Sequence, residues 1–309
     1  MTVPKLTRIL LAVFALASFA HAVGERATTM RDAYLYVAPD VTSNKLADVS
    51  RGRELVILDS SRDWLKVEAL LGEEKTITGW MLDKGLVRAS TPDGDKIIFG
   101  EAADSEDQAS RRGGRRHADD DAQHLYLRVY DQFPTSPLAG EALYRAADIK
   151  WQLERAQVVS RPSAHEKEAF LRVGMDEEMM RLVMKKFSGS KWADLAAYHL
   201  IENKLCGDWQ GDPKCPEKEA EYYEKYANDR AQSSRAAEAL YNAASRQAAL
   251  IELYKSDLQP KKSSDAHARA IAIAQRVLSQ YPQSDYAPRA QSLLFKLQQG
   301  VPTYGNATE

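Results

Sequence analysis

The sequence predicts a chain with two folded parts, a small all-β module followed by an all-α helical-repeat domain. Three observations predict it. Short strand-like runs separated by turn residues continue to about residue 90, a charged stretch with little to bury covers 91–121, and a serine–alanine pattern recurs four times between about 122 and 300. Composition shifts at the same places: Val, Leu, Thr, Gly and Asp mark 28–90, whereas Ala, Glu, Arg, Leu, Gln and Tyr dominate from 122 onward.

Before the first module, Lys5 and Arg8 precede an unbroken apolar run from Ile9 to Ala17, and Ala20-His21-Ala22 places small residues where a signal peptidase reads them. This is the pattern of a secretory signal peptide over 1–22, cleaved near Ala22, with the mature chain starting near Val23. The apolar run is short for a permanent helix across roughly 30 Å of hydrocarbon, and an uncleaved anchor is the alternative. A lipid-anchored form needs a cysteine at the cleavage point, but the two cysteines are Cys206 and Cys215. The expectation is a periplasmic or secreted protein without a permanent membrane anchor. The formal net charge is −2, and loss of Lys5 and Arg8 takes it to −4, so no global basic surface recruits nucleic acid or acidic lipid.

The β module, 24–90, reads as Tyr34–Val37, Lys45–Val49, Glu54–Leu58, Trp64–Glu68 and Thr76–Met81, with turns at Ala38-Pro39-Asp40 and Arg51-Gly52. Alternation places Leu65 and Val67 on one face and Lys66 and Glu68 on the other, so one face is buried. Strands at this spacing argue a small barrel or sandwich.

Four segments in order give this module a family likeness: Tyr36-Val37-Ala38-Pro39-Asp40, Arg51-Gly52-Arg53-Glu54-Leu55, Asp63-Trp64-Leu65-Lys66-Val67 and Gly79-Trp80-Met81. Over about 60 residues it resembles a bacterial SH3 (SH3b) domain, departing at Tyr34-Leu35-Tyr36-Val37, where the family usually carries Leu-Asn-Val-Arg. The resemblance implies an SH3-like barrel that binds peptidoglycan, a peptide or a partner protein. Tyr34, Tyr36, Trp64 and Trp80 are the candidate lining of an aromatic groove; Trp64 and Trp80 equally suit the core and hinge of so small a barrel.

The 91–121 stretch carries Glu101, Asp104, Glu106 and Asp107, then Arg111-Arg112-Gly113-Gly114-Arg115-Arg116, then Asp119-Asp120-Asp121. It reads as a solvated linker whose arginines pair with neighbouring acids or are simply solvated, with binding of nucleic acid or anionic lipid as the weaker alternative and Ile97-Ile98-Phe99 as one apolar docking point. On that reading 24–90 and 122–300 fold independently.

In the second part, Ser136, Ser190, Ser233 and Ser284 each precede alanines at +3 and +6, at spacings of 54, 43 and 51 residues. An aromatic closes one helix, Pro or Gly prevents continuation, Ser caps the next helix, and two alanines one turn apart admit a close neighbour. Each interval holds a helical hairpin, and stacked hairpins share a core. The segment Tyr281-Pro282-Gln283-Ser284-Asp285-Tyr286-Ala287 best carries a resemblance to tetratricopeptide-like (TPR-like) repeats of outer-membrane assembly lipoproteins and periplasmic cell-division coordinators. The spacings exceed the usual repeat of about 34 residues. The resemblance implies a concave surface for protein or peptide partners, for which Arg145, Tyr198 and Tyr241 are candidates; Tyr144, Tyr198 and Tyr241 recur at one repeat position and equally suit packing between hairpins. Residues 301–309 form a C-terminal tail.

Cys206 and Cys215 are expected to form a local disulfide in an oxidising compartment, with a metal site including Asp208 and Asp212 as the weaker alternative, since the loop holds no histidine. The histidines His21, His117, His124, His165, His199 and His267 fall in no nucleophile, zinc-protease or phosphate-loop motif, and His199 beside Tyr198 reads as a packing residue. No enzyme, cofactor or metal is expected. The function expected is an exported envelope scaffold, its repeats holding a protein or peptide and its β module contacting cell wall or a second partner. The alternative is an accessory component of a peptidoglycan-remodelling or hydrolytic system.

Overall fold

The computed structural model describes residues 24–71 and 75–305, so the leader expected at 1–22 lies outside the described residues. The chain divides into two compact units between Ala142 and Leu143. Among the described residues no helix is long and apolar enough to cross a membrane.

The first unit opens with seven strands, β1 (Glu25–Thr29), β2 (Ala33–Tyr36), β3 (Lys45–Val49), β4 (Glu54–Ser61), β5 (Trp64–Leu70), β6 (Thr76–Leu82) and β7 (Leu86–Arg88). They form one antiparallel sheet in the order β3-β2-β6-β5-β4-β1-β7. Alternation buries Ala27, Leu35, Leu55, Ile57, Leu65, Val67 and Met81 as one core. The expected β module followed by helices is present; its sheet runs from edge strand β3 to edge strand β7 without closing. Helices take up the space at the β7 end. β7 leads directly into α1 (Gly94–Ser110), which packs on β7, while α2 (Ala118–Gln132) packs on α1 and reaches β1.

This helix pair corrects the expected linker over 91–121. In α1 the buried residues Ile98, Ala102 and Ser105 are spaced three to four apart, and they meet Ala118, Ala122, Leu125, Tyr126 and Val129 of α2. Only Ile98 carries an obvious apolar side chain, which is why composition hid the stripe. Two of the four connecting arginines pair with acids, Arg111 with Asp107 and Arg115 with Asp121 at 2.8 Å.

Polar contacts join helices to strands. Glu54 of β4 lies between Arg26 of β1 and Arg128 of α2, and Gln132 Nε2 donates to Thr28 Oγ1 at 2.7 Å. Burial pushes the Glu54 carboxyl up, but hydrogen bonds and charge from Arg26 and Arg128 outweigh it and hold the group below the usual carboxylate range. Gly52 lets the β3–β4 turn touch α2; its φ is +75°, and a Cβ there would stand 2.8 Å from the His124 Cβ.

The second unit contains α3 (Ala139–Val159, which begins at the end of the first unit), α4 (Glu178–Lys186), α5 (Lys191–Glu202), α6 (Lys214–Asp229), α7 (Ala236–Ser256), α8 (Pro260–Gln280) and α9 (Ala287–Gln298), with two short 3₁₀ turns at Pro162–His165 and Ala169–Leu171. Helices α6 to α9 share a core that includes Tyr226, Leu240, Leu250, Ile273, Val277 and Leu294.

The fourfold pattern corresponds to one repeated turn. Phe133, Phe187, Arg230 and Tyr281 each end a helix with φ between −136° and −121° and ψ between 38° and 57°. The carbonyl of each accepts the amide of the marker serine at 2.9–3.1 Å. All eight alanines, Ala139/Ala142, Ala193/Ala196, Ala236/Ala239 and Ala287/Ala290, are buried. The expected serine cap is met at Ser190, whose Oγ accepts from the Ala193 amide. At Ser136 and Ser233 the hydroxyl instead takes the amide two residues on, stabilising the turn before the helix.

Candidate binding surfaces

On the sheet, side chains of neighbouring strands that stand opposite one another share a face. Tyr36 stands opposite Trp80, Trp80 opposite Lys66, and Trp64 opposite Leu82, all on the face away from buried Leu35, Leu65 and Met81. Tyr34 is 45% exposed; Tyr36, Trp64 and Trp80 are half-buried. Tyr36 meets Tyr34 at 6.5 Å and Trp64 at 5.5 Å between ring centroids, both edge to face, and Lys45 Nζ stands 3.4 Å from the Tyr34 ring centroid. Tyr34 and Tyr36 also line a shallow cavity of about 210 Å³ with Arg31, Leu82 and Lys84. The structure thus gathers three of the four aromatic candidates into one row, with Trp80 beside it.

On the repeat helices the tyrosines eight residues beyond the marker serines form a ladder. Tyr144 of α3 stacks on Trp192 of α5 at 5.6 Å, Tyr198 of α5 faces the Arg235 guanidinium at the start of α7 at 5.6 Å, and Tyr241 of α7 meets Tyr286 before α9 at 5.6 Å. The partner each time is the residue two beyond the next marker serine. Sequence reasoning singled out Tyr198 and Tyr241 and missed Trp192, Arg235 and Tyr286, although the same alignment shows a large side chain at +2 in each of those repeats.

Packing explains the chemistry of these rings. Burial, then Asp148, raises the Tyr144 phenol, and burial, then Glu238, raises Tyr198 further out of reach of neutral pH. Burial pushes Tyr226 up to about 12, moderated by its hydrogen bond with Ser233. The phenols therefore remain protonated. His199 Nε2 lies 3.2 Å from the Tyr144 hydroxyl and 3.1 Å from Asp148 Oδ1, so both contacts fall on one ring nitrogen. A proton relay would use both nitrogens. Arg145 is half-buried on α3, and its charge acts on Tyr144.

The ladder ends at α9, where Ser292 stands in the tyrosine position. There a groove of about 820 Å³ opens between α7 and α9, lined by Tyr241, Ser245, Arg289, Ser292 and Lys296 and walled by Pro302–Gly305. Next to it lies the loop closed by the Cys206–Cys215 disulfide, whose Cα atoms are 6.0 Å apart. Asp208 and Asp212, named with the cysteines as an alternative metal set, pair instead with His165 and Lys167. Glu219 of α6, 2% exposed, holds this loop: its carboxylate accepts the Cys206 amide, the Trp209 indole N–H and the Arg246 Nε, each at 3.1 Å.

Unreduced native protein is expected to take up no thiol reagent at Cys206 or Cys215, and two equivalents after reduction, read by intact mass. Labelling of both thiols without reduction would contradict the bond. Closing a loop this short contributes about 2–3 kcal/mol.

No protein-family model matches the chain, and no curated protein matches it.

Proposed function

We propose that the protein is an exported cell-envelope scaffold that binds by surface recognition, with the ring-bearing face of α3, α5 and α7 and the groove between α7 and α9 as its main partner surface. The repeats act in the manner of TPR-like arrays, receiving an extended protein or peptide segment. The aromatic row of Tyr34, Tyr36 and Trp64 on an SH3-like module makes a second contact, with cell wall or another protein. The observation that carries the reading is the open end of the ladder: each inner tyrosine is met by a side chain from the next hairpin, and the last position leaves a groove large enough for several residues of a partner. A disulfide suits an oxidising compartment outside the cytosol.

A photo-crosslinking amino acid at Ser292, at Tyr34 and at Gln275 tests this in whole cells. Gln275 is exposed on α8, which contributes no ring to the ladder. Ser292 is expected to give the strongest protein adducts, Tyr34 a different set, and Gln275 none. Adducts as abundant at Gln275, or confined to Tyr34, would overturn the assignment of the repeat face.

A further inference from the structure

After α9 the chain turns back, with the Val301 amide donating to the Lys296 carbonyl at 2.9 Å. Pro302 to Gly305 then form one wall of the groove, and the Tyr304 ring rests against Trp209 at 5.4 Å between centroids, 34° between planes. Trp209 is a fixed receptor for that ring. Its indole N–H is held by Glu219, its loop is closed by the disulfide, and the Arg246 guanidinium lies 6.0 Å from its centroid. In the segment resting on it Val301, Pro302 and Gly305 are exposed, and Tyr304 alone packs a ring against the core.

The groove also carries charge that the segment does not meet. Arg289, 5.0 Å from the Tyr286 ring centroid, and Lys296 form no ion pair among the described residues, and Val301–Gly305 contains no carboxylate. A ligand with an aromatic ring for Trp209 and carboxylates for these two cations would meet both features, of which Val301–Gly305 meets only the first.

We propose that Val301–Gly305, through Tyr304, is an internal occupant of the Trp209 face beside the partner groove, displaced by an extended partner segment that carries an aromatic residue next to acidic ones. This rests on the repeat face being the partner surface. Tethering gives Tyr304 a high effective concentration at Trp209, so the covered Trp209 face rejects weak ligands and admits those that match both the ring and the charges.

The test uses the full chain and a blocked peptide, Val-Pro-Glu-Tyr-Gly, with binding read by isothermal titration calorimetry in every variant and the contact located through the Trp209 indole N–H signal in NMR wherever Trp209 is present. The Tyr304→Ala chain is expected to bind the peptide at least about tenfold more tightly than the unaltered chain, because the tethered competitor is gone. Trp209→Ala should abolish binding in both, with helicity retained, and a peptide with Ala in place of Tyr should not bind. Equal binding to the unaltered and Tyr304→Ala chains, or binding indifferent to Trp209, would overturn the proposal. Should crosslinking at Ser292 succeed while the peptide fails, the partner surface stands and the occupant role falls. Should both fail, the reading of the repeat face falls with it.

Discussion

Glu219→Ala is expected to lower the stability of the second unit by about 3 kcal/mol, the lower end of the cost of breaking a buried ion pair, because Arg246 keeps some access to water. One carboxylate, 2% exposed, satisfies a guanidinium, an indole N–H and a backbone amide. Removing it leaves three donors facing a gap with no acceptor. For a unit of this size the thermal midpoint should fall by roughly 6–12 °C, read by circular dichroism at 222 nm. Combining Glu219→Met with Arg246→Met should recover part of the loss, because the stranded charge is then gone while the Cys206 amide and the Trp209 indole N–H still lack their acceptor. A shift below about 2 °C for the single variant would show that water already serves these donors.

The second large effect concerns the sheet. A fragment of residues 24–90 is expected to show no cooperative unfolding transition, whereas 24–142 should unfold as one unit. This reverses the independence expected from a solvated 91–121 linker. In the shorter fragment Glu54 loses Arg128, Thr28 loses Gln132, and the Gly52 turn loses the α2 surface it touches. Val87 of β7 loses α1, leaving an unprotected edge strand. Equal midpoints for the two fragments would show that the sheet is self-sufficient and the helix pair an appendage.

These two effects differ in how far the sequence exposed them. The strand runs were legible because Leu65/Lys66/Val67/Glu68 alternate cleanly, and the repeat was legible because its turn needs the same residue types each time. Helix α1 was not, since its stripe of Ile98, Ala102 and Ser105 uses small side chains that bury well against another helix yet leave the composition polar. The aromatic row was named from sequence, but its alignment comes from the β2–β6 and β5–β6 registers. The seat of Tyr304 was hidden most deeply: Trp209, Arg246 and Tyr304 lie far apart along the chain, and no local period links them.

The ladder also has a direction. Each ring reaches forward to the next hairpin, so the array resembles a growing polymer with one live end, at α9. Ser292 acts there as a chain terminator: its short hydroxyl gives an incoming hairpin no ring to grip. Lengthening the array by design would therefore start with Ser292→Tyr and add hairpins after residue 300, whereas hairpins added before α3 would meet no forward-reaching ring.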